Sequence, residues 1–196
     1  MSRLISLGHD CQTASQIDRV TGAGRPAQFF DWLVTPHDGL IALLRDDFQG
    51  FLSPGNISDR GEHDGFHFVV DSKFGVDLIH EFPIAQSIES KLAAVQAKFA
   101  YLADRFRALA SQPDLVFVRQ VAPALLQEDH ARSLHETLAK RFDRGFRLLL
   151  VSDVLIAPRW SIPGVTAWCV RQPEPYVWTG SDAAWNDAFR AVGIKT

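Results

Sequence analysis

The chain has 196 residues, of which 46% are hydrophobic and 22% charged, a balance suited to one soluble domain whose core needs no disulfide or metal staple. A net charge of −3 provides no basic field, so nucleic acid is not an expected partner. No apolar run approaches the roughly 18 residues that span a bilayer, no charged-then-apolar leader precedes the first strand, and Cys11 and Cys169 form no disulfide framework, so a cytoplasmic protein, complete at its N-terminus and without a membrane partner, is expected.

Arg3 to Leu7 is an apolar run short enough to be a buried strand. Gly8, His9, Asp10 and Cys11 follow, and then a segment whose Ala14 and Ile17 recur at helical spacing. The pattern predicts strand, tight turn and a helix from about Cys11 to Val20, ended by Thr21-Gly22-Ala23-Gly24. Cys11 falls in the first helical turn, where unpaired N–H groups and the helix dipole favour an anion, and thiolate is the reactive form of cysteine. The alternative for this cysteine is a small buried residue closing the turn.

Arg25-Pro26 forces an extended exit, and Gln28 to Val34 forms an aromatic cluster around one carboxylate, Asp31. Pro36 opens a helix with Leu40, Leu43 and Leu44 on one face. Residues Ile57 to Gly65 are polar and read as a mobile loop. Phe66 to Val70 and Val76 to Phe82 read as strands joined by the turn Ser72 to Gly75. His63 and His67 lack a third ligand at metal spacing, so neither a metal nor any other cofactor is expected. Ile84, Ile88, Leu92, Val95, Phe99, Leu102, Phe106 and Leu109 make one stripe on a long helix, with Lys98 among the residues of its solvated face.

The last third alternates. Asp114 to Arg119 is a strand, Leu125 to Phe142 a helix, Phe146 to Asp153 a strand, and Thr166 to Arg171 a strand after a loop with Pro158 and Pro163. Ser181 caps a final helix bearing Trp185, Phe189 and Val192. Near-continuous apolar strands suit a sheet covered on both faces. The expected fold is therefore a single three-layer α/β/α sandwich over residues 1–196, with a mostly parallel sheet and a β-hairpin insertion.

In such sheets ligands bind beyond the carboxyl ends of the strands. Those ends carry His9, Asp10 and Cys11, then His80, Arg119, Ser152 with Asp153, and Arg171. Parallel strands would deliver all of them to one rim; the strand bearing His80 is alternatively the antiparallel half of a hairpin. Cysteine catalysis needs a thiolate, an imidazole in reach and usually a group that fixes the imidazole. Cys11, His80 and either Asp153 or Asp31 are the candidates. His9, Asp10, Arg25, Arg119 and Arg171 are candidate substrate-binding residues, and amides of the Gly8–Cys11 turn could hold an oxyanion.

The order Ser6-Leu7-Gly8-x-x-Cys11-x-x-Ala14, then Gly24-Arg25, Phe30-Asp31-Trp32, Asp47-Phe48 and His80-Glu81-Phe82 resembles the family described as papain-like cysteine peptidases. Lys98 to Phe106 and Val116 to Arg119 are similar to its later blocks. Glu81 stands where that pattern carries aspartate, and Phe29 where proline is usual. The resemblance implies a Cys/His hydrolase or acyl transferase with Cys11 as nucleophile and His80 as base. It also implies a papain-like α+β fold, the alternative to the α/β sandwich read from strand and helix order. The substrate expected is a small molecule or a peptide or acyl compound.

Two other readings compete. In one, the rim binds an anion such as a phosphate- or nucleotide-sugar-like group without covalent chemistry, although the Gly8 turn is too poor in glycine for a phosphate loop. In the other, the long helix and exposed Trp160 and Trp178 serve a protein partner. Oligomeric state is not legible.

Overall fold

The structure, a computed structural model, describes residues 2–22, 24–123, 126–154 and 160–196. In chain order it contains β1 (Arg3–Ser6), α1 (Cys11–Thr21), α2 (His37–Arg45), β2 (Ile57–His63), β3 (Phe66–Asp71), β4 (Val76–Leu78) and α3 (Ile88–Ala108). These are followed by β5 (Leu115–Gln120), α4 (Glu128–Ala139), β6 (Phe146–Ser152), β7 (Val165–Cys169) and α5 (Asp182–Ala191). Leu125, where the fourth helix was expected to start, and Pro158 lie outside the described residues.

The strands split into two sheets. A four-stranded sheet in the order β1-β5-β6-β7 is parallel throughout, and β2-β3-β4 is a separate antiparallel sheet. The parallel sheet is apolar on both faces. Leu4, Val116, Val118, Leu149 and Val151 meet Ile17 of α1 and Trp185 and Phe189 of α5 on one side. Ile5, Phe117, Leu148 and Leu150 meet Leu40, Phe106 and Leu134 of α2, α3 and α4 on the other. Those two separate clusters make the expected α/β/α layers, with the antiparallel sheet as the insertion.

Three expectations need correction. The polar stretch read as a mobile loop is the strand β2, paired with β3 and interrupted by an irregularity between Asp59 and Glu62. None of its residues is buried, so no buried face imposed the alternation that marks a strand. His80 follows β4 of the antiparallel sheet, so it does not belong to the parallel rim. The long helix starts at Ile88 behind its cap Ser87, not at Ile84. Ile84 instead gives its N–H to the Gly65 carbonyl at 3.0 Å, continuing the contact of this segment with the antiparallel sheet.

Trp160 is not an exposed anchor, because it packs against the larger core cluster. Among the described residues no helix is long and apolar enough to cross a membrane.

Candidate active site

Strand β1 ends in a hydrogen bond from Leu7 N to Val118 O at 2.9 Å, and the chain then turns through Gly8 at φ +73° and His9 at φ +88°. Gly8 donates its N–H to the Ser6 hydroxyl at 3.1 Å. A Cβ on Gly8 would stand 3.1 Å from Thr35 Oγ1 and 3.2 and 3.3 Å from the carbonyl oxygens of Phe30 and Leu33. Left-handed backbone and crowding both demand glycine here. Gly8→Ala is expected to destabilise the fold by roughly 1–3 kcal/mol, read as a lower urea midpoint with unchanged slope.

Below the turn lies Arg119 of β5, only 1% exposed. Its guanidinium donates to Leu7 O at 2.6 Å and Thr35 O at 2.7 Å. The cation therefore braces the turn from beneath, and the expected role in binding substrate does not suit its burial.

Asp10 is the N-cap of α1, its Oδ1 accepting the Gln12 N–H at 2.9 Å, and Cys11 is the first helical residue. The cap has an electrostatic consequence. Burial pushes the Cys11 thiol up to about 11, and the neighbouring Asp10 carboxylate adds to the rise. The expected dipole-activated thiolate is thus reversed, chiefly by loss of solvent around the sulfur and in lesser part because the capping carboxylate occupies helix-start amide capacity and sets a negative charge beside it. Burial lowers the His9 imidazole pKa, with Arg119 adding to the effect and Asp10 and Asp153 opposing it. These four groups share one field at the rim.

His80 approaches from the other sheet. Its Nε2 stands 3.7 Å from Cys11 Sγ, within reach for a contact to sulfur. The imidazole is met edge-on by Trp32, centroids 6.3 Å apart, and by Phe66 at 5.9 Å. Glu81, the next residue, is buried and bound through both carboxylate oxygens to Lys98 Nζ of α3 at 2.6 and 2.8 Å. One residue further, Phe82 is buried and accepts the His67 N–H at 2.8 Å. The strand end that carries the imidazole is therefore fastened to a helix and to its own sheet.

The carboxylates are elsewhere. Asp31 is buried, its Oδ2 accepting from Arg25 at 3.0 Å and from Gln28 N at 2.7 Å, while Arg25 Nε also holds Asp18 at 2.6 Å. This ion-paired cluster ties α1 to the Phe30-Asp31-Trp32 block, which is a structural reason for both Asp31 and Arg25. Asp153 is exposed just past β6 and acts on His9. Among the described residues neither aspartate is hydrogen-bonded to His80. Arg171 is exposed beyond β7.

Residues 2–152 match the family described as "Putative papain-like cysteine peptidase (DUF1796)". The chain belongs to this family. No curated protein and no solved structure matches it. The matched residues include Cys11, His80, Glu81 and Lys98, and they end one residue before Asp153. In this family member a cysteine at a helix start meets an imidazole carried by an antiparallel sheet.

Sequence reasoning missed Glu81–Lys98, because Lys98 falls off the apolar stripe and reads as solvated. It also missed Gln12 and Gln16, which are buried at i and i+4 on α1. Two long amides four residues apart, flanking Ala14 and in line with Ile17, were the available signal, since buried amides require partners. For metal binding, His67 sits 3.1 Å from both Asp59 Oδ2 and Gln86 O, and among the described residues no group of three or more His, Cys, Asp or Glu is placed to hold an ion.

Proposed function

We propose that the protein is a cysteine hydrolase of peptidase type that works through a Cys11–His80 dyad. The observation that carries this reading is the 3.7 Å approach of Sγ to Nε2 between two separately anchored elements. Because the resting thiol is protonated, the reaction runs by general-base catalysis, not from a standing thiolate. As Sγ attacks the acyl carbon, its proton passes to His80 Nε2, and main-chain N–H groups of the turn beyond Gly8, whose own N–H is held by Ser6, receive the developing oxyanion. Collapse breaks the bond to the leaving group, which takes the proton from His80 and leaves a thioester on Cys11. Water then loses a proton to His80 and attacks the thioester, and the returned proton releases the acid and the free thiol.

The edges of Trp32 and Phe66 orient the imidazole in place of a third polar residue. An anion-binding module is the weaker alternative, since Arg25 and Arg119 are already committed to internal partners.

Two measurements test the proposal. Cys11 alkylation by iodoacetamide is expected to rise with pH through a midpoint near 11, well above the ~8.5 of a free thiol. Hydrolysis of an activated acyl ester is expected to vanish in Cys11→Ala. Ester hydrolysis that survives Cys11→Ala would remove the sulfur from the mechanism.

A further inference from the structure

We propose that residues 172–181 form one wall of the acyl-binding cleft, and that Trp178 selects substrates with an uncharged apolar side chain beside the reactive carbonyl. The inference rests on the Cys11–His80 reading and names the substrate class for that site.

The segment is held against the first turns of α1 by both buried glutamines. Gln12 Nε2 donates to Trp178 O at 2.8 Å, and the Gln12 and Gln172 amides pair at 3.1 and 3.3 Å. Gln16 Nε2 donates to Thr179 O at 2.6 Å and to Asp182 Oδ1 at 2.9 Å. Gly180, at φ +78°, comes so close that a Cβ would lie 2.9 Å from Gln12 Cδ and from Trp185 Nε1. The residue that anchors Trp178 thus directly follows the nucleophile.

The main chain of Trp178 and Thr179 makes these bonds, and the large side chains of the segment are left to solvent. Tyr176 is 71% exposed, Val177 44% and Trp178 52%. Within the wall Glu174 is the one charged residue, and residues 175–181, Pro-Tyr-Val-Trp-Thr-Gly-Ser, carry no charge. A further exposed aromatic, Trp32, abuts His80. Large apolar side chains on a backbone tied at Trp178 and Thr179 to α1, one residue along from the nucleophile, suit an apolar ligand group, because little ordering remains to be lost on binding. The segment lies beyond the residues matched to the family.

The test uses the full chain and two electrophiles, chloroacetamide and N-benzylchloroacetamide, each rate with Cys11 divided by its rate with glutathione at the same pH. The normalised benzyl-to-parent ratio is expected to be about ten in the natural protein and to fall to about two or below in Trp178→Ala. Trp178→Phe should keep most of the preference and Trp178→Gln should lose it, a contrast that serves if the alanine variant does not fold. A ratio near one in the natural protein, or a preference that survives Trp178→Ala and Trp178→Gln, overturns the proposal. Labelling requires the thiol alone, so apolar preference without Cys11-dependent ester hydrolysis would sink the hydrolase reading and keep the wall. Hydrolysis without the preference would do the reverse.

Discussion

His80→Gln is expected to lower turnover of an activated acyl ester by about 10²–10⁴-fold near neutral pH. The size follows from the state of the sulfur. With the thiol pKa at about 11, roughly one molecule in three thousand carries a thiolate at pH 7.5, so attack without a base is starved of nucleophile. Glutamine retains a polar planar group beside Trp32 and Phe66 but accepts no proton at this pH. The variant should alkylate at the natural rate above pH 11, where hydroxide removes the proton. His80 is solvent-exposed, so the urea midpoint should hardly move. A loss of turnover that persists at high pH would mean that the glutamine had disturbed the site instead of removing a base.

Arg119→Met is expected to cost about 3–5 kcal/mol of stability, read from urea unfolding. Two contributions oppose each other. Removing a guanidinium that is only 1% exposed relieves a desolvated cation, whose pKa burial lowers. Yet the same change takes the donors away from Leu7 O and Thr35 O, held at 2.6 and 2.7 Å, and leaves two buried carbonyls without partners at about 1–3 kcal/mol each. Methionine fills the volume but donates nothing, so the unpaired acceptors win. Because those carbonyls flank the turn at Gly8, Cys11 should also become easier to alkylate as the turn loosens. A variant as stable as the natural protein would show that the brace is dispensable.

Much of the fold could be read from the residues. Apolar runs ending at glycine or at a polar pair mark β1, β5 and β6, and Ser181 caps α5 with its hydroxyl accepting the Ala184 N–H as its position suggested. What stayed hidden was β2, whose exposed residues obey no burial pattern, and the separation of the strands into two sheets, which depends on contacts far apart in the chain. At the site, the pairing of Cys11 with His80 was legible through residue type and the family pattern. Its electrostatics were not. The helix-start rule predicts a stabilised thiolate, and it fails here first because the sulfur is partly buried and second because Asp10, which caps the helix, sets a carboxylate beside it. The partner of Asp31 was hidden because order along the chain does not reveal that Arg25 folds back six residues to claim its carboxylate.

The capped, half-buried sulfur also bears on chemical durability. Peroxides and mixed disulfides attack the ionised form of cysteine, and here that form is suppressed until an acyl compound and His80 draw the proton away together. Cys11 should consequently endure oxidising stress that would quickly spoil a hydrolase storing its nucleophile ready-ionised, with no reductant needed to restore it between turnovers.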